Sequence, residues 1–216
     1  MFSNIAIYQI NLDRRVDRWN ECIKNHAEMG FVDNDIQRIS AVADAEYGIL
    51  GCTKSHVKVL CKLLTEDSGE YCIVLEDDFD FKVNKSVLAE RLAAVRASGV
   101  DWNVILLAGT NVRSFAGAVP HLSQVFEAFT TSGYIIKRSY LPALINCFIN
   151  AAMNLERVRH FAPRPFFVSR FALDVAWQSL QRTDRWYIFT PSIGSQRPSF
   201  SDIENKHVDY HDLAHK

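Results

Sequence analysis

The chain has no apolar run approaching the roughly 20 residues needed to cross a bilayer, which excludes a conventional helical span. It has no surplus of either charge. The 24 Lys and Arg against 25 Asp and Glu give a formal charge of -1, so there is no global basic field to gather nucleic acid, and nucleic acid is not expected as a partner. The opening "MFSNIAIYQINLDRR" lacks the basic stretch before an apolar core that a secretory signal requires, so a soluble, cytoplasmic protein is expected. Cysteines are few and scattered. The 5 of them, Cys22, Cys52, Cys61, Cys72 and Cys147, are odd in number and not spaced like a zinc site or a redox pair, so reduced, mostly buried thiols are expected. Internal repeats, low-complexity runs and linkers are also missing, and residues 1–216 are read as a single domain. The proline-rich "HFAPRPFFVSRF" and the histidine-bearing tail "NKHVDYHDLAHK" do not divide it.

What is present is an alternation of two hydrophobic periods. "IAIYQI", "IQRISAV", "YCIVL", "NVILLA" and "GYIIK" are short apolar runs with strand character. Between them, Val16, Trp19, Ile23 and Ala27 recur at helical spacing until Gly30, and "SVLAERLAAVRASG" ends in glycine. "SYLPALINCFINAAM" tolerates Pro142 in its first turn, and Val57, Leu60, Cys61 and Leu64 form another stripe, with Thr53 or Ser55 placed to cap its start. Continuous apolar strands alternating with amphipathic helices predict the α/β class, with a mainly parallel central sheet flanked by helices on both faces. Ligands of such sheets collect at the carboxyl ends of the strands.

"YCIVLEDDFDF" therefore draws attention, because Glu76, Asp77 and Asp78 follow directly on a strand at that end. In extended geometry Glu76, Asp78 and Asp80 would share one face, with Asp77, Phe79 and Phe81 on the other. Two or three converging carboxylates repel unless a cation neutralises them, and hard oxygen ligands favour Mn²⁺ or Mg²⁺. Such an ion keeps positions open for substrate phosphates, which predicts a nucleotide or phosphate ligand. The bland alternative is a solvated acidic turn. "DFD" after a strand also matches, poorly, the nucleophile loop of haloacid-dehalogenase-like phosphatases, since Phe81 and Lys82 follow where Thr or Val is usual.

Several segments in fixed order place these carboxylates in a wider pattern. "INLDRRVDRW", "GILGCTKSHVKVL", "YCIVLEDDFDF", "DWNVILLAG", "TTSGYIIKR", "FALDVAW" and "TPSIGSQRPSFSDI", from Ile10 to Ile203, together resemble the family 25 glycosyltransferases, which include lipooligosaccharide sugar transferases and collagen galactosyltransferases. The resemblance implies a GT-A-like α/β fold and a UDP-sugar donor, most often UDP-galactose or UDP-glucose. The acceptor implied is a hydroxyl of a lipooligosaccharide-like, hydroxylysine-like or other glycan, lipid-linked at the inner face of a membrane in one version, with inversion at the anomeric carbon.

Roles follow for particular residues. A metal held by Asp78, with Glu76 or Asp77 assisting, would neutralise the departing diphosphate. Asp174 is the candidate base for the acceptor hydroxyl and Asp202 its rival; the alternative for Asp174 is an ordinary helix carboxylate. Asn11, Arg14, Arg15 and Arg18 are candidates to grip uracil, ribose or phosphate, with solvated helix-face charge as the alternative for at least two of the arginines. Gly48 and Gly51 would admit a ligand close to the backbone or simply close a turn, and Ser55 and His56 would open a helix whose free N–H groups suit the donor. Gln196 and Ser201 match family positions, His207 or His211 is a candidate late metal ligand, and Trp177 a candidate acceptor contact. Trp19 and Trp102 fit the core better. Two other classes compete: a catalytically silent nucleotide-sugar or glycan binder, and a metal-dependent phosphohydrolase.

Overall fold

The computed structural model describes residues 5–32, 35–66, 69–160, 170–203 and 206–209. An eight-stranded sheet runs in the order β2 (Ile36–Ser40), β1 (Ala6–Asn11), β3 (Tyr71–Glu76), β8 (Gly133–Lys137), β5 (Val104–Leu106), β9 (Trp186–Phe189), β7 (Leu122–Phe129), β6 (Thr110–Ala116). β1 pairs in parallel with β2 and β3, and β5 with β9; β8 and β7 are the two reversed strands. The expected α/β class with a mainly parallel sheet is therefore what the chain forms.

Both faces are covered, as side-chain alternation requires. Cys72 and Val74 of β3 and Tyr134 and Ile136 of β8 point to one core with Val59, Leu60 and Leu63 of helix α2 (Gly48–Glu66) and Leu144 and Phe148 of α4 (Leu141–Val158). Ile73, Leu75 and Ile135 point to the other, with Leu88, Leu92 and Val95 of α3 (Lys85–Ser98). Ile73, Val74 and Leu75 are all 0% exposed, and each contributes roughly 1.5–3 kcal/mol of burial, so β3 is fixed in register up to Glu76.

The helix boundaries obey local chemistry. Gly30, at φ +81, ends the segment of α1 (Val16–Glu28) and Gly99, at φ +68, ends α3, whose start is capped by Asn84 accepting from the Val87 N–H at 3.0 Å. Pro142 lies in the first turn of α4. One expectation fails. α2 begins at Gly48, so Thr53 and Ser55 do not cap it: their hydroxyls donate back to the Ile49 and Gly51 carbonyls at 2.8 and 2.7 Å, one turn behind. The carboxylate that closes the turn ahead of α2 belongs to Asp44, which accepts from the Tyr47 N–H at 2.9 Å.

Strand β4 (Phe79–Phe81) leaves the main sheet to pair with β10 (Gly194–Gln196), and β11 (Ser199–Ser201) pairs with β12 (Lys206–Val208) as a hairpin. Among the described residues no helix is long and apolar enough to cross a membrane.

Candidate active site

The acidic loop sits where β3 ends. Extended geometry stops at Glu76, Asp77 and Asp78 form a turn, and the expected common face of carboxylates does not exist. They fan out to separate partners instead. Phe79 and Phe81, each 1% exposed, anchor the turn from below, and Gly133 and Gly194 leave room for the Phe79 ring: a Cβ at Gly194 would lie 2.1 Å from it. Asn25 of α1 completes the anchor by donating to the Phe81 carbonyl at 3.1 Å and accepting from its N–H at 2.8 Å.

Asp77 is buried and neutralised. Asn11 donates to its Oδ2 at 2.7 Å and Arg18 to its Oδ1. Asp80 is held by both Nε and Nη2 of Arg197, the latter at 2.8 Å. Glu76 accepts from Thr131 and lies 3.1 Å from His56 Nε2. Burial works against its charged form, but the hydrogen bonds of His56 and Thr131 outweigh it and hold the carboxyl below its usual range.

Asp78 is the exception. Its Oδ2 accepts from Gln196 Nε2 at 3.0 Å and lies 3.8 Å from Arg18, while its Oδ1 is buried with no hydrogen-bond partner among the described residues. Burial, with the charge of Glu76 added, pushes its carboxyl up to about 7.

A chain of hydrogen bonds joins Asp78 to Asp174. Gln196 Oε1 accepts from Thr130 Oγ1 at 3.0 Å, and the Thr130 N–H donates to Asp174 Oδ2 at 3.2 Å. Thr130 sits at φ +70, an expensive conformation for a β-branched residue, and the two hydrogen bonds hold it there. Asp174 is half-buried in the first turn of the short helix Leu173–Ala176, and burial together with the charge of Glu76 raises its carboxyl above the ordinary value.

The other candidates are distributed differently from the sequence expectation. Arg14 and Arg15 both pair with Asp202, and Arg18 reaches past Asp77 to Ser199 Oγ at 2.7 Å and the Phe200 carbonyl at 2.9 Å. The arginines thus tie the β11–β12 hairpin, which carries Ser201, to the start of α1. Burial opposes the charge of Asp202, but the two arginines prevail and lower it, which makes it a weaker base than Asp174.

Gly51 is explained by backbone, not ligand: a Cβ there would lie 2.7 Å from the Val42 carbonyl. Ser55 accepts from the Val42 N–H at 2.8 Å, inside the third turn of α2, so Ser55 and His56 do not open a helix and offer no free helix terminus. His207 is exposed, edge-on to Phe200 at 5.8 Å between centroids, and makes no hydrogen bond to the carboxylates among the described residues. His211 lies outside those residues. Trp177 is fully buried between Tyr134, Phe148 and Trp186, a core residue and not a surface for an acceptor. Trp19 is half-buried under Arg38, and Trp102 is in the core as expected.

Sequence reasoning passed over Thr130, Thr131, Arg197 and Cys52. The "TTS" before β8 reads only as a strand lead-in, and a search for paired cysteines misses Cys52 and His56, one helical turn apart on α2. Cys52 Sγ, His56 and Glu76 donor atoms lie within 4.8 Å of one another. Burial, then the charges of Glu76, Asp78 and Asp174, push the Cys52 thiol up.

No family model and no curated protein matches the chain. Solved structures similar to it include the mannose-1-phosphate geranyltransferase of Thermus thermophilus, at 9% identity over 92% of this chain and 76% of that one, with a TM-score of 0.47. A197 from STIV is 14% identical over 94% and 93%, with a TM-score of 0.48. A glycosyltransferase involved in glycosylation of the major capsid of PBCV-1 is 10% identical over 93% and 96%, at 0.46. At these identities and scores the likenesses carry no weight for function, and the site stands on its own residues.

Proposed function

We propose that the chain is a metal-dependent, inverting glycosyltransferase of the family 25 type, with a GT-A-like fold. It would move a hexose from a UDP-sugar to a hydroxyl of a glycan or lipid-linked acceptor, in the cytoplasm or at the inner face of a membrane. The observation that carries this is the buried Oδ1 of Asp78, without a hydrogen-bond partner among the described residues, in a loop where Asp77, Asp80 and Glu76 already have partners. A buried carboxylate oxygen of that kind calls for a cation. A single protein carboxylate suits Mn²⁺ or Mg²⁺, which is commonly bound by one or two carboxylates together with substrate phosphates.

Asp78 would hold that ion, with Gln196 fixing the carboxylate from its other oxygen. Asp77 does not fit the ligand set, because Arg18 and Asn11 already occupy both its oxygens. When bound, the ion offsets the charge that develops on the diphosphate leaving group. Asp174 would take the proton of the acceptor hydroxyl. Its burial makes it more basic than a solvated carboxylate, and the Thr130 N–H orients it. The Thr130–Gln196 link keeps this base in fixed relation to Asp78, as an in-line displacement needs.

The test is Asp174→Asn. UDP-sugar binding should be unchanged while transfer falls by about 10²–10⁴-fold. Undiminished transfer would overturn the assignment of the base.

A further inference from the structure

We infer that Cys52, His56 and Glu76 form a site for a thiophilic divalent cation of the zinc class, separate from the cation at Asp78. Cys52 and His56 stand four residues apart on α2 and so present one face, and Glu76 comes to that face from the end of β3. Their donor atoms are within 4.8 Å of one another, and His56 Nε2 and Glu76 Oε1 are already 3.1 Å apart. A tetrahedral ion with bonds of about 2.0–2.3 Å holds its donors roughly 3.5 Å apart, so side-chain torsions alone close the set.

The support around the three donors is of the kind a metal site has. Tyr134, 0% exposed, places its hydroxyl 3.0 Å from His56 Nδ1 and stacks on the ring, and Thr131 donates to Glu76. Such partners orient an imidazole and a carboxylate toward a metal. A buried His–Glu hydrogen bond needs no thiol beside it. The Cys52 sulfur nevertheless lies within 4.8 Å of both the imidazole and the carboxylate donor, on the same helix face as His56.

Donor chemistry separates the two sites: a thiol with an imidazole selects zinc-like ions, whereas Asp78 offers only carboxylate oxygen, which suits Mg²⁺ and Mn²⁺. Three protein donors leave a fourth position for water or a substrate oxygen, the composition of a reactive zinc site and not of a closed structural one. The inference does not rest on the glycosyltransferase reading.

The test is titration of the reduced, chelator-stripped full chain with Co²⁺, followed by near-ultraviolet thiolate-to-cobalt absorption. The expected result is a band that saturates at about one Co²⁺ per chain and is displaced by Zn²⁺. It should vanish in Cys52→Ser and in His56→Gln, each checked for folding by its melting transition. It should persist in Cys61→Ser and Asp78→Asn, and Tyr134→Phe should weaken Co²⁺ binding about 10–100-fold. A missing band, or one that survives Cys52→Ser, would overturn the site. A band lost equally in Asp78→Asn would overturn its separation from the Asp78 cation. UDP-sugar binding by wild type, measured independently, reports on the other reading alone.

Discussion

The two ends of strand β3 both gather charge, but they treat it in opposite ways. At the amino end a hollow of about 340 Å³ is lined by Tyr71, Arg96, Trp102 and Lys137 among others, and its ion pairs are solvated: Asp101, paired with Lys137 and Arg185, has a side chain 61% exposed. At the carboxyl end the Arg18–Asp77 pair is 12% and 9% exposed, and hydrogen bonds, with the Asp77–Asp78 peptide between them, connect Asn11 to Asp174 across five segments of chain. Open volume accompanies the cheap charges and packing accompanies the costly ones. Desolvated charge must be held by specific partners, and an oxygen left without one among the described residues, such as Oδ1 of Asp78, then marks where chemistry is expected.

That contrast can be broken by substitution. Arg18→Met leaves Asp77 buried without its counter-charge and should cost about 3–5 kcal/mol, read as a lowered urea midpoint. A loss under about 1 kcal/mol would show that water reaches Asp77 freely and would erase the distinction between the two ends.

A titration sharpens it further. His26, packed against Trp19, Phe31 and Phe81, has its pKa lowered from 6.5 to about 4 by burial. Its native state keeps the ring neutral, so this contribution is complete above pH 6.5 and is lost as pH falls toward 4. The loss amounts to roughly 3 kcal/mol, and the difference between wild type and His26→Phe in unfolding free energy against pH should follow that window. A difference independent of pH would contradict the burial account.

Gly194→Ala drives a methyl into the Phe79 ring beneath the acidic turn and should cost about 1–3 kcal/mol by thermal melting. At the solvated end Lys137→Ala should move stability by no more than about 1 kcal/mol.

The α/β class was legible because β1, β2, β3, β5, β8 and the first helices follow the hydrophobic period, as "YCIVL" and "GYIIK" do, and because Gly30, Gly99 and Pro142 sit where helix ends require them, whereas β6, β7 and β9 were not read as strands. The carboxylates were legible as a cluster but not as a geometry. A turn at Asp77–Asp78 replaced the expected extended run, which would have carried Asp77 into the same apolar core as Leu75, Phe79 and Phe81. Asp78, Gln196 and Asp174 were legible as separate candidates, and what connects them was not. Thr130 acts through a backbone N–H at φ +70, a property of the fold that no residue type announces. Arg14, Arg15 and Arg18 were read as ligand grips because Asp77 and Asp202, which pair with them, lie far away in sequence and meet them only in the folded chain, although Arg15 also pairs with its neighbour Asp17.

The most direct measurement is calorimetric titration of wild type and Asp78→Asn with UDP-galactose and UDP-glucose, in Mn²⁺ and then in chelator. Binding by wild type that requires the metal and is lost in Asp78→Asn is the result this account predicts. Equal binding by both proteins, or binding by neither in any condition, would contradict the assignment of Asp78 as the residue that recruits the cation for a nucleotide-sugar donor.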